Sequence, residues 1–460
     1  MNKFVVFSAL LLLCRAGIGA GAEINILSYG ATAGLNCSSG STALTTNTTD
    51  IQNALNAAAT GNTLYIPSGT YAINSSIQKT SGTFSMNIRG DSVGTTLILW
   101  CGSSGTASVS MPVFYMLGWN NSSIRDLSIL IPTASNVVGW DLDTNGTYQS
   151  SELLLFENVY VQEGAGNNNI GWRAGISSTG AGDLSYYTFV NTRCNASSGT
   201  SGTICWMPLR QDALNWVWIN GGASSIANPF TETRLSTWSG SEKGGASMYF
   251  YGLANSLTSG TDFSLTDNGD YLISGGRFEN GVRFLVAGDT GSAPVNVSVR
   301  DAMIAQYTGN VFGNIFTING SVNLDLTSNS VIAQSTDYTN QMLSISASSG
   351  QVSNITVKNN TFSTAEPFYL VNGTGGTAGL HLQGNSRANE SNAVTGLYQD
   401  VFAVFPAPTI SQLATCTSGL AGSENYVTNG QSSPSYLGTV GTTGSTFARV
   451  MCNGTHWVYH

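Results

Sequence analysis

Asp141 and Asp143 stand two apart in the phrase Trp140-Asp141-Leu142-Asp143. Residues two apart on a strand share a face, so this spacing sets two carboxylates side by side. Such a pair raises the pKa of one member or binds a cation. Cleavage of a glycosidic bond needs one protonated and one ionised carboxyl at a fixed separation, which makes both residues candidate catalytic groups. The competing reading is a solvated strand end before Asn145-Gly146. A second group comprises Asp270, Arg277 and Glu279. Arg277 and Glu279 share parity, as a surface ion pair of little energetic value or as a clamp for a substrate carboxylate. Asp270 and Glu279 are the candidate acids of this group, Arg277 its candidate substrate ligand, and Asp262 and Asp267 weaker members. Glu157 and Glu163 flank a strand pattern, with Glu157 expected to face outward. Trp206, Trp216, Trp218 and Trp238 are candidate platforms for sugar rings, the alternative being buried ring-on-ring packing. Asp126 and Asp301 recur in Ile124-Arg125-Asp126 and Val299-Arg300-Asp301, a repetition that fits a structural corner better than catalysis.

Other chemistries find little support. The chain has 3 histidines, His381, His456 and His460, which disfavours a Ser/His/Asp hydrolase. With no C-x-x-C and no His/Cys cluster, a zinc site is not expected, and no metal ligands are assigned.

The scaffold that must hold these residues is built from short β-patterned runs. They recur from Met86 to Phe362, for example at residues 123–131, 153–161 and 271–288. A spacing of about 20 to 30 residues without exact identity is what a solenoid gives, because each coil buries its face only against its neighbours. A sandwich or propeller would also give many short strands. Asn and Asp at the strand boundaries favour the solenoid, since they tolerate the left-handed backbone of a tight corner. Residues 47–73 differ in reading as a short amphipathic helix, capped by Asn47, Thr48 or Thr49, followed by two strands about a Pro-Ser-Gly-Thr turn. Residues 164–216 and 220–260 are rich in Gly, Ser and aromatics and read as insertions, a usual place for ligand contacts.

Three phrases carry a family resemblance: NILSYGA at residues 25–31, TTDIQNALNAA at 48–58 and LYIPSGTY at 64–71. Together they resemble the opening of the pectate-lyase-like superfamily of right-handed parallel β-helix proteins, the signature of its pectate lyase 3 and tail-spike-like members. IRGDSVGTTLI at residues 88–98 is similar to the glycine turn of the next coil in that superfamily. The resemblance implies an all-β, single-stranded parallel β-helix with a capping helix, of the pectin-lyase-like kind. It also implies action on polysaccharide, by lyases that use calcium with an Arg or Lys base or by hydrolases that use carboxylate pairs. The chain departs from the pattern at residues 32–47, where an acidic glycine-rich link is replaced by a segment with no carboxylate and with Cys37. The NTD, DD, GHG and RIK phrases of polygalacturonases are absent. The expectation is a protein that binds and cleaves polysaccharide or a cell-surface glycan, as hydrolase or lyase, with calcium the one cofactor admitted. The alternatives are a non-catalytic adhesin or tail-spike-like structural protein on the same scaffold, as monomer or homotrimer.

Residues 1–22 have the form of a signal peptide: Lys3, an apolar run over 4–13 and Ala20-Gly21-Ala22 before Glu23. The expected protein is therefore secreted or periplasmic, with a β-helix domain over 23–404 and a small C-terminal β module over 405–460 after the Phe405-Pro-Ala-Pro linker. That module would cap the last open edge or bind a ligand. The formal charge of −9 becomes more negative by two when Lys3 and Arg15 leave with the signal. Nucleic acid and, after signal cleavage, membrane are thereby poor partners, and an acidic glycan would need calcium or a local arginine cluster. Charged residues make up 9% of the chain against about 25% in a typical protein, replaced by the Gly, Ser, Thr and Asn of solenoid turns. Removing the signal leaves an even set of cysteines, for which the expected pairs are Cys194–Cys205, Cys416–Cys452 and Cys37–Cys101.

Overall fold

The computed structural model describes residues 21–80, 84–143, 151–175, 184–197, 200–209, 214–232, 246–266, 269–288, 294–306, 315–333, 343–348, 352–363, 369–374, 377–383, 385–387, 403–405, 413, 415–418, 421, 424–430, 436–440 and 446–459. The expected signal peptide falls outside these residues, save Gly21 and Ala22. Two compact units divide the chain, residues 1–242 and 243–460.

In the first unit the strands form three parallel columns, as a three-sided coil requires. One column runs through Glu23–Asn25, Thr63–Tyr65, Asn87–Arg89 and the first halves of Asn120–Ile131 and Glu152–Glu163, then Thr188–Ala196 and Trp216–Ser224. A second pairs Gly69–Ile73 with Thr96–Trp100, and that strand with the later half of Asn120–Ile131. The third contains Ile77–Lys79, Met111–Leu117, Val137–Asp143, Ile170–Ala174, Ile204–Pro208 and Asn228–Thr231. The long strands turn the corner between the first two columns at Asp126, Asn158 and Asn191, with φ of 60°, 53° and 54°. Their side chains form a ladder from coil to coil: Asn158 Nδ2 donates to Asp126 Oδ1 at 2.9 Å, and Asn191 Nδ2 to Asn158 Oδ1 at 2.8 Å. A short polar side chain both accepts the left-handed backbone and finds its partner one coil away.

Aromatic rings fill the interior in two stacks. Phe156, Phe189 and Trp218 stack at 5.3 and 4.9 Å, while Phe114 stacks on Trp140 at 4.3 Å and Trp172 on Trp206 at 5.9 Å. The stacks meet edge to face, as at Trp140–Phe156 (5.6 Å) and Trp218–Phe230 (5.4 Å). In-register parallel pairing sets identical coil positions one above another, so like rings offset-stack.

Helix Ser41–Ala57 covers the first coil with Leu44, Ile51, Ala54 and Leu55 buried. It begins well before the cap positions expected from the sequence, and Asn47 and Thr48 lie within it, buried. Asn47 accepts from Thr32 N at 2.7 Å and donates to Ala72 O at 2.8 Å, and Thr48 Oγ1 accepts from Asn74 N at 3.1 Å. These side chains satisfy backbone groups at the start of the coils instead of capping the helix. The Cys37–Cys101 disulfide ties the segment before the helix to the end of strand Thr96–Trp100.

The second unit repeats the plan, with Gly269–Ser274, Val295–Arg300, Val322–Thr327, Val352–Lys358 and Thr377–Gln383 in one parallel column. Thr261–Leu265, Arg283–Ala287, Phe316–Asn319, Leu343–Ser348 and Tyr369–Thr374 form another. A buried asparagine ladder, Asn329–Asn360–Asn385, holds the corners: each Nδ2 donates to a main-chain carbonyl, of Val299, Leu326 and Val357. Asp301 sits at a corner with φ 54°. Strand Ala403–Phe405, where the expected domain boundary falls, pairs antiparallel with Thr377–Gln383. A three-stranded antiparallel sheet follows, Glu424–Gly430, Thr446–Cys452 and Trp457–Tyr459. It packs Val427, Val440, Val450 and Tyr459 together, and the Cys416–Cys452 disulfide staples it. The third bond joins Cys194 to Cys205, so all three expected pairs are present, as suits an oxidising compartment. Among the described residues, no helix is long and apolar enough to cross a membrane.

Candidate functional site

Strand Val137–Asp143 turns Val138, Trp140 and Leu142 into the coil, so alternation sets Gly139, Asp141 and Asp143 on the other side. Yet Asp141 is 2% exposed and Asp143 1%. Parallel register places Tyr115, Asp141 and Arg173 in one row across three strands. Arg173 grips Asp141 with both arms of its fork, Nε to Oδ1 at 3.0 Å and Nη2 to Oδ2 at 2.8 Å, and donates Nη1 to Ser110 Oγ at 3.1 Å. Tyr115 has its pKa raised, first by burial and then by the Asp141 and Asp143 charges. Strand alternation puts both carboxylates on one side, and that of Asp141 is neutralised by a buried bidentate ion pair. That leaves the row ill suited to calcium, since both oxygens of Asp141 are engaged by a cation already.

A second row lies on the outer side of the first column. Register aligns Tyr65, Arg89, Arg125 and Glu157 on successive coils, each beside an inward aliphatic or aromatic neighbour. The Arg89 guanidinium lies 4.3 Å over the Tyr65 ring, and its Nη2 meets Glu23 Oε2 at 2.8 Å. Tyr65 donates its hydroxyl to Asp91 at 2.7 Å, and Asp91 also accepts from the backbone and side chain of Ser68 at 2.7 and 2.8 Å. These bonds hold the Asp91 carboxyl below its ordinary pKa and push the Tyr65 phenol up. Around the Asp126–Asn158–Asn191 corner, Tyr160 and Arg193 pair in register, with the guanidinium 5.8 Å from the ring. Coils stack about 4.8 Å apart. The outcome is a half-exposed field of arginine forks, tyrosine rings and the Glu157 carboxylate at that repeat.

In the second unit, Arg277 and Glu279 form an ion pair along their own strand, and Arg277 is 59% exposed. Asp270 lies on the preceding strand and is exposed. It accepts from Asn296 Nδ2 at 2.8 Å and heads an outer asparagine ladder through Asn323 and Asn354. Asp270 and Glu279 therefore belong to two strands on either side of the Gly275-Gly276 corner, and their bonds run to separate partners. Asp262 is more unusual. It is 1% exposed, accepts at Oδ1 from Thr258 (2.9 Å) and Asn255 (3.1 Å), and burial pushes its pKa from 3.8 up to about 7.

Residues 24–227 match the family model described as rhamnogalacturonase A/epimerase, pectate lyase-like. The chain is a parallel β-helix protein, and its likeness to the pectate-lyase-like family spans residues 24–227. Among solved structures, the β-helix is similar to the catalytic unit of a thermostable GH87 α-1,3-glucanase from Streptomyces thermodiastaticus strain HF3-3, at 12% identity and TM-score 0.41, covering 82% of this chain and 71% of that one. It is similar to the A-module of a mannuronan C-5 epimerase from Azotobacter vinelandii, at 15% identity and TM-score 0.40, over 80% of this chain and 100% of that one. A surface adhesin of Streptococcus pneumoniae aligns at 14% identity and TM-score 0.38, over 83% and 100%. No curated protein matches.

Three of the four expected sugar platforms of this β-helix protein need correction. Trp206, Trp216 and Trp218 are 1%, 2% and 0% exposed. Trp206 and Trp218 belong to the interior stacks, and Trp216 stacks on Tyr187 at 4.5 Å. No ring face is left for a sugar. Trp238 and Asp267 lie outside the described residues. Glu163, named in the sequence only as a flanking acid, points into the coil. It is 0% exposed, with no hydrogen bond to either oxygen among the described residues, and burial raises its pKa well above 4.5. Inward parity with Val159 and Val161 was the available signal. The outer arginines were missed, although Ile88-Arg89 and Ile124-Arg125 repeat the same inward–outward phrase.

Proposed function

We propose that this is a secreted glycan-binding β-helix protein, and that the polysaccharide lies along the outer side of the first unit across Tyr65, Arg89, Arg125, Glu157, Tyr160 and Arg193. The observation that carries this reading is the register of Tyr65, Arg89, Arg125 and Glu157, one residue per coil at a rise close to the length of one sugar residue in an extended chain, with the Tyr160–Arg193 pair in a second row just around the Asn158 corner. Arginine forks pair bidentately with carboxylate or sulfate, and tyrosine rings take the apolar face of a sugar. Its arginine forks favour an acidic polysaccharide: Arg89 is shared with Glu23 and Glu157 stands in the same row, so Arg125 and Arg193 carry the cationic contact that the net charge of −9 otherwise denies. The match of residues 24–227 to a model described as rhamnogalacturonase A/epimerase, pectate lyase-like, supports polysaccharide as the ligand class.

One observation favours cleavage as a second reading. Asp141 is held by Arg173, while Asp143 lies two residues along on the same side and its charge acts on Tyr115. Two carboxyls in unlike environments can divide acid and base roles. Incubation with polygalacturonate and alginate separates the readings. Binding without new reducing ends or unsaturated products supports a binding protein, and products abolished by Asp143→Asn support cleavage. Absence of both binding and products removes the proposal.

A further inference from the structure

A shallow surface hollow of about 600 Å³ opens between the C-terminal end of helix Ser41–Ala57 and strand Ile77–Lys79, with Asn56, Thr60, Gln78 and Thr80 exposed along it. Its wall is fixed by the Gln52 amide, which bonds both backbone groups of Gln78: Nε2 to Gln78 O at 2.8 Å and Gln78 N to Oε1 at 2.8 Å. The same Nε2 donates to Asn56 Oδ1 at 2.9 Å. This leaves Asn56 Nδ2, the Gln78 amide and the Thr60 and Thr80 hydroxyls lining the hollow with no hydrogen bond among the described residues. Phe84 supplies a partly exposed ring.

Charge decides what such a hollow takes. Lys79 is the one cation among its described lining residues, and that ammonium is committed to Leu55 O at 3.0 Å and Ala58 O at 2.6 Å, with the Phe84 ring 4.8 Å away. It neutralises the helix C-terminus, whose dipole would repel an anion. Free amides and hydroxyls around an aromatic ring, without net charge to offer, fit a neutral polyol. We propose that this hollow is a binding site for a neutral saccharide, its hydroxyls held by Asn56, Gln78, Thr60 and Thr80 and its C–H face packed on Phe84. The site is separate from the arginine row and independent of the reading above, which concerns acidic glycans.

Cellohexaose, maltohexaose and mannohexaose, with hexagalacturonate as the acidic comparison, test this by saturation-transfer NMR and calorimetry on the full protein. At least one neutral hexasaccharide is expected to bind. Gln78→Ala, an exposed change that should not disturb folding, and Phe84→Ala should each weaken it at least about fivefold, the factor carried by one lost polar or stacking contact. Arg125→Ala/Arg193→Ala should leave that affinity unchanged while lowering affinity for hexagalacturonate. The proposal is overturned if no neutral hexasaccharide binds, if Gln78→Ala and Phe84→Ala both bind as wild type, or if neutral binding is lost in the arginine variant. Failure of hexagalacturonate binding alone would count against the arginine row and not against this hollow.

Discussion

Replacing Asp262 by Asn is expected to change how stability depends on pH, because the carboxyl titrates near neutrality in the folded protein. It is 1% exposed, its Oδ1 accepts from Thr258 and Asn255, and its Oδ2 has no partner among the described residues. Burial raises its pKa from 3.8 to about 7. As pH climbs past 3.8 the unfolded chain gives up this proton while the folded protein keeps it, so stability falls until the folded carboxyl ionises at about 7. Above that the loss is constant. At about 1.36 kcal/mol for each pH unit between the two values, the full loss is about 4 kcal/mol. About 3 kcal/mol of it falls between roughly pH 5 and pH 8. Asn keeps the acceptor at Oδ1 and does not titrate, but places an unpaired NH₂ where Oδ2 stood, at a cost of about 1–3 kcal/mol. The variant should therefore match wild type at about pH 5 and exceed it by about 2 kcal/mol at about pH 8. Urea unfolding at the two pH values, followed by far-UV circular dichroism, reads the difference. A wild-type-minus-variant gap that is the same at both would refute the reasoning.

Further expectations concern the buried ion pair, the ring stacks and the disulfides. Arg173→Met leaves Asp141 buried and uncompensated, and should cost about 3–5 kcal/mol in urea unfolding, with Asp141→Asn/Arg173→Met recovering part of the loss. If the single and double variants are equally unstable, the bidentate pair is not the origin of the effect. Phe189→Ala, which removes a ring from between Phe156 and Trp218, should cost about 3–5 kcal/mol and leave glycan affinity intact. A change in affinity without a change in stability would contradict the interior assignment. Removing Cys194–Cys205, a separation of 11 residues, should cost about 3 kcal/mol. Removing Cys37–Cys101, a separation of 64, should cost about 4 kcal/mol, because the longer loop gains more freedom in the unfolded chain. Thermal unfolding of the two double-serine variants checks the order.

The scaffold was legible because its signals are local. YGA, the Asp-Ile-Gln helix and Pro-Ser-Gly-Thr-Tyr lie within one coil, and Asn or Asp at strand ends announces corners that need left-handed backbone. The cysteine pairs followed from proximity in the chain and elimination. The helix start was not legible, because Asn47 and Thr48 read as caps until the coil whose backbone they satisfy is in place. Burial of Trp206 and Trp218 depends on which ring one coil away shares their register, and coil length sets that. Parity puts Asp141 and Asp143 on one side of their strand, yet Arg173, the partner that neutralises Asp141, stands 32 residues away in sequence. The outer arginine row is scattered in the same manner, one residue per coil, and assembles only by stacking.

Calorimetric titration of polygalacturonate into wild type and into Arg125→Ala/Arg193→Ala tests the central claim most directly. Binding along the outer row predicts saturable, salt-sensitive binding by wild type and a loss of at least about tenfold in the variant, since two desolvating arginine contacts are removed while the coils remain folded. Equal affinity of the two proteins, or no binding by wild type at low salt, would contradict it.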